Sequence, residues 1–422
     1  MSQTPTHQIT RKTIHGDDFF DAQTKTNHGT ISTLFHIERN EDPESRKQLP
    51  SVGGTRFVTS GNENELAKLS KGMTHKCDRW EIKTEIDGKK TQYVGQKSLA
   101  VVNEDIIKNT VAKAELLRTH IEHFKDDFPY AVWGPDMNCD ESVMDAVAQY
   151  LPQHVCGLSI EAGGYSIDQT GFTGFGVFRF IEHTRKVHKF SPDLETASVE
   201  GFGAVGAPVA EHLHRKNVRI VAISVQNAAI VCDAGLDIPK LVKARNDADP
   251  ASRDESVIAL AQSMEDVHVH DDPARLFGVP AHIFIPAART STFAVKSELD
   301  EIHENENAKA SSIEDVLERC NYRLIAQAAN SPLTDKASAF AQNEGVVVLT
   351  DFVINGGGLF GCWQGHERRK KHQFKGVPAT SPQDVDEAKD RLAVHVTKIA
   401  DDAILEVKTG LHAKKAASNA SD

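Results

Sequence analysis

Two periods alternate along the chain. Between residues 62 and 76, Leu66, Leu69 and Met73 recur at helical spacing, which predicts an amphipathic helix. Residues 80–94 change to alternation about Asp87-Gly88, a pair that tolerates positive φ and gives the strongest short hairpin signal in the sequence. Residues 104–124 read as a helix and Tyr130-Ala-Val-Trp133 as a strand running into Gly134-Pro-Asp136-Met-Asn138, after which Asp140 opens another helix. The first 35 residues are polar and helix-permissive, the charged run up to Pro50 reads as surface, and Val52-Gly-Gly-Thr-Arg56 punctuates the chain. From the middle onward, short apolar strands alternate with helices. They are Ala197-Ser-Val199, Val218–Ser224, Ile283–Ala288, Arg323–Ala326 and Val346–Leu349. Each ends in small and polar residues, so the loops line one edge of a parallel sheet. Residues 293–319 read as an inserted helical excursion, 365–377 as a solvated linker and 384–412 as a C-terminal helix, followed by a frayed Ala/Ser/Asn/Asp tail.

One turn in this alternating half carries chemistry. After the strand at 197–199 comes Glu-Gly201-Phe-Gly203-Ala204-Val205-Gly206, with the spacing G-x-G-x-x-G, and then a helix over Ala207–Arg215. A dinucleotide site needs a tight turn at the first glycine, close backbone approach to a pyrophosphate at the second and helix-on-strand packing at the third. The spacing alone is a weak signal; its place between a strand and a helix strengthens it. Residues 1–165 remain upstream, enough for a domain of their own that holds substrate.

Composition narrows the class. The 422 residues suffice for two or three domains, and 39% hydrophobic with 26% charged residues describes an ordinary soluble protein. A net charge of -12 argues against a nucleic-acid partner. No apolar run approaches the roughly 18 residues of a membrane span, and the polar start lacks a signal-peptide core, so no membrane is involved and a cytoplasmic location is expected. The six cysteines are scattered without C-x-x-C spacing, which predicts reduced thiols. The best metal-ligand cluster is His268-Val-His270-Asp271-Asp272, but it lacks further ligands at suitable spacing. We read it as an acidic loop, and no metal is expected.

Eight segments, taken in order, resemble the glutamate/leucine/phenylalanine/valine dehydrogenase family. They are Gly53-Gly54-Thr-Arg56, Gly72-Met-Thr-His-Lys76, Gly134-Pro-Asp136-Met-Asn, Thr173-Gly-Phe-Gly176-Val-Phe, Gly201 to Gly206, Ile285-Pro-Ala-Ala288, Ala328-Ala-Asn330-Ser-Pro-Leu-Thr334 and Asn355-Gly-Gly-Gly358. The resemblance implies an α/β fold and a two-domain subunit. Residues 1–165 would form a substrate-binding and oligomerisation domain, 166–377 a Rossmann-type dinucleotide-binding domain, and 378–422 a C-terminal helical segment returning toward the first. It also implies a homo-oligomer and NAD or NADP as coenzyme, with oxidation of an amino acid to a 2-oxo acid and ammonia, or the reverse.

Site residues follow from the matched motifs. Lys76 matches the lysine that binds the α-carboxylate, and Asp136 the acid/base aspartate; an ordinary turn or helix cap is its alternative reading. The catalytic lysine of the family sits in a glycine-rich loop that this chain lacks. Lys97, in Val-Gly95-Gln-Lys-Ser, is favoured over Lys90 near the hairpin tip, with the hairpin counted as an insertion. Gly54, Val52 and Cys362 match the substrate pocket. Thr173, Gly201, Gly203, Ala204, Val205, Gly206, Ser224, Asn330 and Asn355 match positions around the coenzyme. Glutamate-specific members carry a lysine where this chain has Val52, and a serine where it has Cys362, so an uncharged side chain is expected of the substrate. The stretch Ile223–Asn227, where NAD-selective sites carry an acid, has none, so NADP should be tolerated or even preferred, although no arginine is evident beside the site to clamp a phosphate. The missing lysine loop also motivates an alternative: a non-catalytic coenzyme-binding homologue or partner subunit.

Overall fold

The computed structural model describes residues 4–38, 42–188, 195–306 and 310–418. Two compact units divide the chain: residues 1–170 with 359–391, and residues 171–358 with 392–422.

The first unit is built on a six-stranded sheet of order β1-β2-β3-β7-β4-β8. Its strands are β1 (Thr6–Ile14), β2 (Asp17–Thr26), β3 (Gly29–Ile37), β4 (Ser51–Val58), β7 (Val94–Val102) and β8 (Ala131–Pro135). Residues 6–37 therefore form an antiparallel meander instead of helix. Their polar look has a physical cause, since β1 at the sheet edge is largely exposed and only Ile14 of it is buried. Residues 52–56, expected as punctuation, lie in the middle of β4, which is buried along almost its whole length and runs parallel to both neighbours. Glycine occurs there because the backbones crowd: a Cβ on Gly53 would stand 1.7 Å from the Gln96 carbonyl oxygen.

Helices Glu63–Arg79, Thr110–Phe124 and Glu141–Ala148 accompany this sheet. The first buries Leu66, Ala67, Ser70, Thr74 and Cys77, a face one step around from the one expected, so Leu69 and Met73 stay half-exposed. Residues 104–124 split into Glu104–Ile107 and Thr110–Phe124, because Asn109 caps the second helix by accepting from the Ala112 amide. The hairpin forms as its sequence predicts: β5 (Lys83–Ile86) pairs with β6 (Lys89–Gln92), and Asp87 and Gly88 take φ of 50° and 75°. Between β3 and the start of β4, the helix Pro43–Arg46 carries a fully buried arginine, whose Nε donates to the His36 carbonyl at 2.6 Å. That stretch is not purely surface.

The expected linker 365–377 is mostly helix, Gly357–Lys371, in which His366 and Arg369 are buried. They anchor it to the first unit by bonding the Gln153 and Val155 carbonyls at 3.0 and 3.1 Å. Residues 359–377 therefore group with the N-terminal strands. Helix Pro382–Ser418 is divided, its residues to 391 grouping with the first unit and those from 392 with the second. The end of the tail, residues 419–422, lies outside the described residues.

The second unit holds a seven-stranded sheet of order β12-β11-β10-β9-β13-β16-β17. Its five parallel strands are β9 (Thr196–Glu200), β10 (Arg219–Val225), β13 (Ile283–Pro286), β16 (Leu324–Ala326) and β17 (Val347–Leu349). Two antiparallel strands, β11 (Ala228–Val231) and β12 (His268–His270), extend one edge. The His268-Val-His270 segment is thus an edge strand, not a loop; among the described residues no group of three His, Cys, Asp or Glu is placed to hold a metal. The excursion 293–319 mixes helices Leu299–Glu306 and Ile313–Arg319 with the short parallel pair β14 (Phe293–Ala294) and β15 (Ser311–Ser312). Chain order reverses between β9 and β13, the topological switch point at which doubly wound sheets bind ligands.

Glu200 ends β9 and is buried. Burial pushes its carboxyl up to about 7, against the opposing effect of Arg289, whose Nε stands 3.7 Å away, and of the Thr292 hydroxyl, which donates at 3.2 Å. The folded state thus binds the proton more tightly than the unfolded chain. The associated stability is complete at pH values below the unfolded carboxylate range and is lost as pH rises through about 7. Glu200→Gln should therefore gain on the native chain by roughly 1–3 kcal/mol between pH 5 and 8. Urea unfolding across that range checks this, and parallel pH dependences would contradict it. In the first unit, Gly53→Ala should destabilise by roughly 1–3 kcal/mol or more through overpacking. Gly72→Ala, in a helix with nothing within 4 Å of the added carbon, should stabilise by about 0.5–1 kcal/mol. Thermal unfolding of the two variants should move in opposite directions.

Candidate active site

Strand β4 lies between β7 and β8, and the chemistry of the first unit is assembled across it. Lys97 projects from β7 and Asp136 follows directly on β8. Their Nζ and Oδ2 form an ion pair. The two meet over Gly54 of the intervening strand: a Cβ there would stand 2.7 Å from the Pro135 oxygen, 2.8 Å from the Asp136 Cβ and 3.3 Å from the Lys97 Nζ. Any side chain at 54 would push the pair apart.

Arg56 shares a β4 face with Gly54 and Val52 by the two-residue period of a strand. Its Nε donates to Asp136 Oδ2 at 2.9 Å and its Nη1 to Glu65 at 3.0 Å. Burial opposes ionisation of Asp136, but the charges and hydrogen bonds of Lys97 and Arg56 outweigh it and hold the carboxyl well below the usual carboxylate range. The turn behind it is tight. Asp136 and Cys139 exchange backbone hydrogen bonds, Asn138 takes a φ of 57°, and its side chain donates to the Phe57 carbonyl at 2.8 Å. Asp140, not Asp136, caps the following helix. Sequence reading quoted Arg56 without giving it a role, although its position two residues beyond Gly54 was the available signal.

The remaining substrate-pocket candidates lie on several elements of the first unit. Val52 is buried on β4. Lys76 is half-buried on helix Glu63–Arg79, which packs closely on β7: the Thr74 hydroxyl accepts from the Gly95 amide at 2.9 Å. Cys362 lies on helix Gly357–Lys371, where a hydrogen bond with Cys156, then burial, push its thiol well above the ordinary range. Lys90 is exposed on the hairpin, in register with Glu85.

In the second unit, the glycine turn is held to the end of β10. The Gly201 amide donates to the Ser224 hydroxyl at 3.0 Å, and the Phe202 amide to the Ser224 carbonyl at 2.8 Å. Gly201 has φ of 87°, and a Cβ on Gly206 would stand 1.9 Å from the Gly201 oxygen. Gly203, Ala204 and Val205 form the exposed and half-exposed lip between them, and nothing lies within 4 Å of a Cβ built on Gly203. Arg245 donates from Nε to the Phe202 carbonyl at 3.0 Å, so an arginine does lie beside this turn.

Asn330 and Asn355 are brought together, the Asn355 amide donating to Asn330 Oδ1 at 3.0 Å. Asn355 Oδ1 is buried without a hydrogen-bond partner among the described residues. Thr173, near the start of helix Phe172–His188, abuts the same loop: a Cβ on Gly357 would stand 3.2 Å from its Cα. An open glycine lip and an orphaned buried amide oxygen fit a dinucleotide.

A model of the Glutamate/Leucine/Phenylalanine/Valine dehydrogenase family matches residues 163–363. Glutamate dehydrogenase A2 of Halobacterium salinarum is 29% identical over 326 residues, covering 74% of this chain and 67% of that protein. An NADP-specific glutamate dehydrogenase of Synechocystis is 24% identical over 323 residues, covering 74% of this chain and 67% of its own. A catabolic NAD-specific glutamate dehydrogenase of Bacillus subtilis is 24% identical over 327 residues, covering 74% and 66%. Among solved structures, a hetero-hexameric glutamate dehydrogenase of Thermus thermophilus in a leucine-bound form shares the fold, with a TM-score of 0.68 and 18% identity over 97% of this chain and 84% of that one. With the ordered motifs and the α/β architecture, these matches place residues 163–363 within the glutamate/leucine/phenylalanine/valine dehydrogenase family model and identify an NAD(P)-dependent amino-acid dehydrogenase.

Proposed function

We propose that Lys97 and Asp136 are the catalytic pair for oxidative deamination of an L-amino acid to a 2-oxo acid and ammonia, and for the reverse reaction. The observation that carries this is their ion pair over Gly54, with Arg56 on the same carboxylate. It also favours a working enzyme over a non-catalytic partner subunit. When bound, the coenzyme supplies the hydride acceptor. Lys76 holds the α-carboxylate as a fixed cation. The Lys97 amine activates the water that attacks the oxidised substrate carbon, and Asp136 passes the proton to and from the amine nitrogen. Arg56 positions Asp136 and keeps it ionised. In the second unit, the turn Gly201–Gly206 receives the pyrophosphate at a helix N-terminus, and Thr173, Asn330 and Asn355 orient the ring and ribose.

Glutamate is the substrate that the relatives support, since those described above are glutamate dehydrogenases. The uncharged side chain expected from sequence rests on a different observation: Val52 is a buried apolar residue beside the catalytic pair, and Cys362 is neutral. A distal carboxylate would then need a cation from elsewhere in the pocket. We further propose an oligomer acting in the cytoplasm; among the described residues no helix is long and apolar enough to cross a membrane.

Lys97→Ala and Asp136→Asn should each lower kcat by roughly a hundredfold to ten-thousandfold while coenzyme fluorescence titrations stay unchanged. Lys90→Ala should keep native turnover, and the opposite pattern would transfer the role to Lys90. Removing one of the two cations in Arg56→Met should raise the Asp136 pKa, so the acidic limb of the kcat/KM profile moves to higher pH; an unmoved limb would deny Arg56 this role. Rates with glutamate, leucine, valine and phenylalanine decide the side chain, glutamate being expected to lead.

A further inference from the structure

The strand that follows a glycine turn of this kind ordinarily ends in the carboxylate that bonds the ribose 2′-hydroxyl, about 20 residues beyond the turn. Strand β10 occupies that position and stops at Val225, with no acid between Ile223 and Asn227. A carboxylate is nevertheless present in space. Asp254, in the first turn of helix Arg253–Gln262, accepts through Oδ2 from the amide of Gln226 at 3.0 Å, and Gln226 is the first residue past β10. The strand end is joined to the glycine turn by both bonds of Ser224, two residues earlier. The helix carrying Asp254 is tied to the preceding helix, Ile238–Asp247, through the Ser256 hydroxyl, which donates to the Ala244 carbonyl at 3.1 Å.

We propose that Asp254 reads the coenzyme ribose and makes this enzyme selective for NAD over NADP, an inference that rests on the dinucleotide role given above to Gly201–Gly206. A half-buried carboxylate fixed at the end of β10 is placed to accept from a 2′-hydroxyl. The same charge repels a 2′-phosphate and already occupies the backbone N–H that such a phosphate would use. Arg245 is the competing influence, a cation able to draw a phosphate. Its Nε is engaged by the Phe202 carbonyl and its Nη1 by Asn246 at 2.9 Å, so it faces the turn with two of its donors occupied. The acid lost from the strand is thus replaced from a helix some 30 residues further along the chain, where a motif search keyed to the strand does not look.

The test is fluorescence titration of the purified full chain with NADH and with NADPH, for the native protein, Asp254→Asn and Asp254→Ala. Asparagine keeps an oxygen for the Gln226 amide, so a merely structural role leaves the ratio of the two Kd values unmoved in that variant. The native chain should bind NADH at least tenfold more tightly than NADPH, and Asp254→Asn should shrink that ratio by about tenfold, chiefly by tightening NADPH. Equal binding of the two by the native chain, a preference for NADPH, or an unchanged ratio in Asp254→Asn overturns the assignment and leaves the dinucleotide reading standing. Binding of neither coenzyme overturns the dinucleotide reading and this inference together.

Discussion

The first unit depends on one close approach. Three parallel strands bring Lys97, Gly54 and Asp136 side by side, and the middle position has to be empty for the outer two to touch. An ion pair as buried as this one is costly unless its hydrogen bonds are complete. Arg56 adds a second cation on the same carboxylate oxygen, and Glu65 in turn engages Arg56 from the neighbouring helix. The result is a short relay of charges, lysine, aspartate, arginine, glutamate, running from the sheet interior out to solvent. Each member is held by the next, so the Lys97–Asp136 pair is set by the sheet's register together with the tight turn that follows β8.

The second unit solves a different problem with similar means. Its glycine turn, proposed above to present backbone amides to an anion, is held by the hydroxyl and the carbonyl of Ser224. Rigidity here comes from a strand end, and openness comes from Gly203, which has no neighbour where a side chain would be. A turn fixed at its base and bare at its lip is preorganised for a phosphate, so little ordering remains for binding to supply.

Legibility followed physical locality. The G-x-G-x-x-G turn, the Asp87-Gly88 hairpin and the parallel strands of the second unit were readable because each depends on contiguous residues. Lys97 was favoured over Lys90 by its spacing to Asp136 and by the strand-like run that follows it; the structure pairs Lys97 with Asp136 and leaves Lys90 exposed on the hairpin. The N-terminal meander was not legible, because strands with one solvated face carry few apolar residues and β1 buries only Ile14. The β4 glycines read as punctuation because the reason for them, neighbouring backbone within 3 Å of where a Cβ would stand, lies in other strands. Residues 365–377 read as a linker because their charges suggest solvent, whereas most of them continue helix Gly357–Lys371 and Arg369 is buried against a carbonyl. Asp254 was invisible for the same reason; its relevance comes from a strand end nearly 30 positions away.

The β5–β6 hairpin shows how such a site tolerates change in length. It is pinned along its side: the Trp363 indole donates to the Lys83 carbonyl at 2.8 Å, Lys370 to Thr84 at 2.9 Å, and Thr84 to Glu367 at 2.8 Å. Its growth is consequently quantised. Adding one residue to each arm at the tip preserves the pleat and leaves these anchors and β7 untouched, whereas a single extra residue within an arm turns every later side chain of that arm to the opposite face. The segment joining Lys76 to Lys97 can therefore lengthen freely in pairs, so the surface around the hairpin can be elaborated while Lys97 keeps its place in the sheet.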